Sequence, residues 1–253
     1  NLDGLTFTSA GNVTFGNDAA TDQVNLTTAA VTFTMAGTGD NLTFTSKVDG
    51  RQDLTLSVVG ATNFEGAVGS GTGTEIGDGT GAAITINSAG VTEFDSTLET
   101  QSGITSANAA GAITFRGDVT LAAGNTATTL INAVTNLDGL TFTSAGNVTF
   151  GNAAGTDQVN LTTGDVAITT TGTGTLTFTS LVDGRFDLAL NVAGATNFEG
   201  AVGSGGTGEI GDGTGAAITI NSTGATEFDS TVEALEGITS ANTAGNITFR
   251  GDV

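Results

Sequence analysis

Phe64-Glu65-Gly66-Ala67-Val68 decides how this chain folds, because it keeps returning. It comes back as Phe94-Asp95-Ser96-Thr97-Leu98 and as Phe115-Arg116-Gly117-Asp118-Val119, and Phe44-Thr45-Ser46-Lys47-Val48 precedes it. The unit is Phe, any residue, a small residue, any residue, then Val or Leu. In a strand, side chains alternate between faces, so Phe, the small residue and Val share one side. The same unit starts again at Phe178, Phe198, Phe228 and Phe249. The intervals are 20, 30 and 21 residues, then 63, then 20, 30 and 21. An interval of 63 reads as three times 21. The interval of 30 contains the glycine-rich insertion Gly69–Gly81.

Outward from this unit, the whole chain alternates with period two. Leu42/Phe44, Val13/Phe15, Val31/Phe33/Met35, Leu54/Leu56/Val58, Ile84/Ile86 and Ile113/Phe115 each put apolar side chains on one side and mostly Thr on the other. Short runs of this kind, punctuated by Gly, Asn and Asp, predict β-strands, and nothing shows helical periodicity. The expected fold is all-β: a right-handed parallel β-helix, or β-solenoid, of about eleven turns of roughly 21 residues with glycine-rich loop insertions. Stacked turns would place Phe over Phe and Val over Val, burying a column no single turn can bury. The rival architecture is a pair of tandem β-sandwiches, which the Asp-Gly pairs at Asp3, Asp49, Asp78, Asp138, Asp183 and Asp212 would suit as hairpin turns. A sandwich gives no reason for the 21-residue rhythm.

A longer period contains the shorter one. Asn1–Val119 aligns with Asn136–Val253, identical at 93 of 118 paired positions with one residue deleted near Asp40 and Asn41. We divide the chain into a first long repeat, residues 1–135, and a second, residues 136–253, truncated at its C-terminal end. On this reading each long repeat is six turns, and Thr120–Thr135 belongs to the coil. The chain reads as a window from a longer protein.

Composition narrows the function. The 253 residues include 26 acidic and five basic residues, a formal charge of −21, with no Pro, Cys, His, Trp or Tyr. Phosphate contacts need Lys and Arg, so nucleic acid is not an expected partner, nor is an anionic membrane surface. No apolar run has membrane-spanning length. Without cysteine, redox chemistry does not fix the compartment, although a cysteine-free chain suits export in an unfolded state. The acidic surface itself keeps an extended protein soluble.

Leu42-Thr-Phe-Thr-Ser-Lys-Val-Asp-Gly-Arg-Gln-Asp-Leu-Thr-Leu56, Asn63-Phe-Glu-Gly-Ala-Val68 and Ile113-Thr-Phe-Arg-Gly-Asp-Val-Thr-Leu121 resemble the repeat regions of giant bacterial surface proteins of the filamentous-haemagglutinin and autotransporter-adhesin type. The resemblance covers essentially the whole chain and rests on degenerate motifs. It implies a right-handed parallel β-helix exported across the outer membrane and serving as a stalk, adhesin or fibre. It carries no active site.

Four constellations invite function, each against a plainer reading. Arg116-Gly117-Asp118 and Arg250-Gly251-Asp252 spell the integrin-binding tripeptide, but both fall within the Phe-x-Gly-x-Val unit. There the Gly faces inward and its neighbours face outward. Glu75 and Asp78, with Glu209 and Asp212, are weak calcium candidates in the glycine-rich segments Gly69–Gly81 and Gly203–Gly215, because hard cations take carboxylate oxygens on tight turns. The plainer reading of those segments is a flexible solvent loop. The steps Thr6/Thr8, Thr32/Thr34, Thr43/Thr45, Thr141/Thr143 and Thr177/Thr179 resemble ice-binding solenoids. They are interrupted by Glu, Asp and Arg along the chain, and β-propensity accounts for them. The pairs Glu93/Asp95 and Glu227/Asp229 would allow acid–base chemistry of the polysaccharide-degrading kind, without His or Tyr to assist. Solvated charge is the simpler account, so no catalytic residue and no cofactor is expected, calcium excepted.

The expected function is structural: an extracellular repeat segment of a bacterial surface fibre or adhesin stalk. Its partner along the axis would be further repeats or identical subunits. The alternatives are an adhesin module binding a glycan or receptor and, behind it, a polysaccharide-degrading β-helix. The residues expected to carry the structural role are the core Phe44, Phe64, Phe94 and Phe115 with Phe178, Phe198, Phe228 and Phe249.

Overall fold

A computed structural model of the chain describes residues 1–18, 21–107, 111–121, 128–152, 156–205, 208–241 and 245–253. Among the described residues there is no helix, and every paired strand runs parallel to its neighbours. The chain is a parallel β-helix. The two-sandwich alternative fails on that geometry, since antiparallel hairpins would be needed at the Asp-Gly turns.

Three faces form the coil. Face one has eleven strands: Thr6–Ser9, Val31–Met35, Leu54–Val58, Ala82–Ile86, Gly103–Ser106, Thr129–Ile131, Val148–Phe150, Leu176–Phe178, Thr196–Phe198, Thr226–Phe228 and Ile247–Phe249. Face two runs through Val13–Phe15, Leu42–Phe44, Thr62–Phe64, Thr92–Phe94, Ile113–Phe115, Thr135–Leu137, Val159–Leu161 and Val182–Gly184, then continues as single bridges at Val202 and Val232. Face three begins with Gln23–Asn25 and Lys47–Asp49 and passes through a bridge at Val68. It continues through Leu98–Thr100, Val119–Leu121, Thr141–Ser144, Val166–Thr170, Leu188–Val192, Ile218–Ile220 and Ile238–Ser240. Eleven strands on face one enclose ten turns, which at ~4.8 Å between strands makes a rod of roughly 50 Å.

The period-two pattern becomes burial directly. In Val31–Met35 the residues Val31, Phe33 and Met35 are buried while Thr32 and Thr34 are only partly covered, and Leu54–Val58 repeats the pattern. Phe15, Phe44, Phe64, Phe94 and Phe115 stack on face two, the last four at centroid distances of 4.7, 4.9 and 5.3 Å with nearly coplanar rings. Phe150, Phe178, Phe198, Phe228 and Phe249 form a second stack, on face one. Phe142, from face three, links the two edge-on, 6.1 Å from Phe115 and 5.6 Å from Phe150. Offset or edge-on contacts at such distances add to the area term of burying the rings.

The small residue of the Phe unit sits where the chain turns from one face to the next. A Cβ on Gly117 would meet the Ser96 backbone, and one on Gly66 or Gly200 would meet Ser46 or Ser180. Another corner stacks Gly60, Gly90 and Gly111, and later Gly174, Gly194, Gly224 and Gly245. Side chains there would hold neighbouring turns apart.

The long repeat is not six whole turns. Five turns carry Thr6–Ser9 to Thr129–Ile131 on face one. Thr135–Leu137 on face two and Thr141–Ser144 on face three then follow, and the last of these is the copy of Thr6–Ser9. The copy therefore lies five turns and two faces along, rotated by one face. The same shift moves Val13–Phe15 from face two to Val148–Phe150 on face one, and Thr62–Phe64 to Thr196–Phe198. The 63-residue interval is accordingly not three turns of 21. Phe115 lies on face two and Phe178 on face one, because the turns between are longer: Phe150 and Phe178, register partners on successive strands, are 28 residues apart. Thr120–Thr135 contributes strands of the coil at its described ends, Ala122–Ala127 lying outside the described residues.

Candidate functional site

The candidate sites lie on the corners and outer faces. The glycine-rich segment is built by its own turn residues. It leaves face three at Val68 and returns there at Ile76, which is fully buried and bridges Thr100. Gly50 and Gly77 tie it down through Gly50 N–H to the Thr74 carbonyl (3.0 Å) and Gly77 N–H to the Gln52 carbonyl (3.1 Å). Asp49 accepts from the Ser70 amide and hydroxyl at 2.7 and 2.9 Å. The segment is a stapled arch, not the free loop its glycine content suggests, because a single apolar residue, Ile76, reaches the core. The second copy does the same through Ile210, bridged to Ala234, with Gly206 and Thr207 outside the described residues.

The calcium candidates are engaged locally. Glu75 Oε2 accepts the Gly73 N–H at 2.7 Å, and Asp78 Oδ1 accepts the Thr80 amide at 2.8 Å and hydroxyl at 2.7 Å. Asp212 repeats the second arrangement with Thr214, at 2.8 Å for both donors. These hydroxyl and amide donors hold Asp78 and Asp212 below the ordinary carboxylate value. Burial pushes Glu75 up, but the amides of Glu75 and Gly73, the Gln101 side chain and the Arg51 charge outweigh it and the net shift is downward. Glu209 is half-buried in the second arch. Among the described residues, no group of three or more acidic side chains is placed to hold a metal ion.

Arg116 is taken up by carboxylates. Its guanidinium bridges Asp95, Glu93 (3.0 Å) and Asp138 (3.4 Å), each from an adjacent turn of face two. The hydrogen bonds that Arg116 donates to Asp95 and then Glu93 raise its pKa further. Asp118 Oδ1 accepts the Thr141 N–H at 2.8 Å. The tripeptide Arg116-Gly117-Asp118 is thus a corner of the coil with both charged ends occupied, and the Glu93/Asp95 pair clamps an arginine. Arg250 repeats the clamp with Glu227 (3.2 Å) and Asp229 (2.9 Å), on face one. On a half-exposed surface such ion pairs contribute little each.

One arrangement escaped sequence reasoning. Aspartates before the strands cap the next turn: Asp118 accepts from Thr141, Asp165 from the Asp187 N–H at 3.0 Å, and Asp53 from the Asp78 N–H at 3.2 Å. The recurring Asp at strand starts was the available signal. Around Asp187 the column is crowded: burial raises its pKa, and Asp165, Asp212 and Glu236 raise it further against the hydrogen bond from Asp212. Asp187 Oδ1 and both Glu236 carboxylate oxygens are buried without a partner.

The eight phenylalanines of the core are deeply buried except Phe249, which is 41% exposed at the C-terminal end of the coil. At the other end Leu2, Leu5, Phe7, Val13 and Phe15 are only partly covered. Among the described residues, no helix is long and apolar enough to cross a membrane. Compared with family models, curated proteins and solved structures, the chain has no match.

Proposed function

We propose that the chain is a structural repeat segment, a rigid spacer of the kind that forms the stalk of a bacterial surface fibre or adhesin outside the cell. Supporting it is one observation above the others: a single apolar core runs unbroken through both long repeats, with the strand ladders and the Phe stack uncovered at both ends. Uncovered ladder edges are templates for pairing. The joint between the copies indicates what covers them. Phe115 meets Phe142 there, and their counterparts at the ends are Phe249 and Phe7. A further copy, presented through a segment like Thr120–Thr135, rebuilds that joint. The partner along the axis is therefore another long repeat.

The test is length. Chains of two, four and six long repeats joined by Thr120–Thr135 should appear in electron micrographs as rods that lengthen by roughly 27 Å per copy, from five turns and two faces at ~4.8 Å each. Rods of constant length, or beads separated by flexible joints, would overturn the reading.

A further inference from the structure

Along the chain, Glu, Asp and Arg break up the Thr-x-Thr steps; in space the steps sort by face. Thr6, Thr32, Thr55, Thr85 and Thr105 are successive register partners on five neighbouring strands of face one. Thr8, Thr34 and Ser57 form a second rank beside them. The interrupting residues Glu93, Asp95 and Arg116 belong to face two, as do Thr43 and Thr45. The five face-one strands, TFTS, VTFTM, LTLSV, AAITI and GITS, contain no charged residue in a chain with 26 acidic ones.

These hydroxyls are not used by the fold. Thr85 and Thr105 approach each other at 3.5 Å. Among the described residues, the hydroxyls of Thr6, Thr8, Thr32, Thr34, Thr55 and Ser57 make no hydrogen bond within the protein. The ranks are ~4.8 Å apart from turn to turn and ~6.6 Å apart along the strand, and a β-branched side chain in a strand has few rotamers. The result is a fixed two-dimensional net of hydroxyl and methyl groups. The turn-to-turn spacing lies close to an oxygen repeat on the prism faces of ice.

We propose that face one of the first long repeat binds the surface of ice, holding ordered waters on its Thr ranks. Hydroxyls that bridge to ordered water lose little against direct hydrogen bonds. A sugar polymer is the poorer occupant, because the face presents no aromatic ring and the chain has no Trp or Tyr to stack on one. The second copy supplies the contrast. Its equivalent rank, on face three, reads Thr141, Ala167, Ala189, Thr219 and Thr239, with two hydroxyls lost in the middle. The activity belongs to the first copy and is independent of the stalk reading.

The test uses the whole chain in a slowly growing ice hemisphere, with crystal shaping as a second readout and circular dichroism to verify folding. The wild type should enter the ice and facet the crystals. Thr32→Lys/Thr34→Lys on face one should be excluded like a bystander protein, while Thr143→Lys/Thr169→Lys on face three should still enter. If the first pair of changes melts the coil, Thr34→Tyr, which keeps a strand-favouring residue, takes its place with the same expected loss. Exclusion of the wild type, equal loss on both faces, or binding to cellulose or chitin in place of ice would overturn the proposal.

Discussion

The two long repeats share most of their sequence and none of their placement. Phe64 and Phe198 occupy the same position in the repeat, yet one stacks on face two and the other on face one. Glu93, Asp95 and Arg116 clamp face two, and their copies Glu227, Asp229 and Arg250 clamp face one. An identical local sequence therefore tolerates any face of the coil. What it needs is a neighbour of the same kind above and below, and the parallel ladder supplies one on every face. The copies differ where their surroundings differ. The first has an unbroken Thr rank, and the second has Asp165 and Glu236 where the first has Ala30 and Ser102.

The largest expected effect separates an enclosed residue from its open counterpart. Phe115→Ala should cost ~3–5 kcal/mol of unfolding free energy, the range for emptying a buried aromatic site. Phe249→Ala, at the uncovered end, should cost a small fraction of that in the same denaturant titration. Equal losses would mean that the end is covered in solution. Next come the corner glycines. Gly90→Ala and Gly224→Ala each drive a Cβ into the carbonyl of the turn beneath, Gly60 or Gly194, and should destabilise by at least ~1–3 kcal/mol in either copy.

Smaller and opposite in sign is the inward threonine pair. Thr92 and Thr226 are fully buried with hydroxyls that lack a partner. Replacing each by Val removes the desolvated hydroxyl and should stabilise by ~1 kcal/mol, read as a higher denaturant midpoint. The subtlest contrast is with pH. Asp53 and its copy Asp187 are both raised by burial, but only Asp187 also faces Asp165 and Glu236. A carboxyl with a raised folded value binds a proton more readily folded than unfolded. Its contribution therefore grows as pH falls from neutral through that raised value, and declines as pH rises. Asp78 and Asp212 act oppositely, their contribution being lost only as pH falls below the ordinary carboxylate range. The melting temperature should rise on mild acidification, and Asp187→Asn should flatten that rise more than Asp53→Asn does.

The strands and their inward residues were legible in the sequence, because period-two alternation and burial obey the same geometry in every strand. The rotation between copies was not. Turn length varies with the corners, and corner length leaves no periodic trace, so two longer turns and two further faces between Phe115 and Phe178 resemble three turns of 21. Nor was the Thr net legible: residues adjacent in space are 20 to 30 positions apart, with the charges of other faces written between them. The arch was misread for a different reason. One buried side chain, Ile76, holds it against the core, and glycine content masks a single anchor.

The rotation by one face can be tested by disulfide trapping in this cysteine-free chain. Thr120 and Thr143 are register partners on face three, as are Leu130 and Thr149 on face one. Neighbouring strands fall within the span a disulfide bridges. Under mild oxidation, Thr120→Cys/Thr143→Cys should close within the monomer and Leu130→Cys/Thr141→Cys should not. A copy repeated in whole turns would return Thr141, the counterpart of Thr6, to face one, over Leu130, and the reverse pattern of closure would contradict the account.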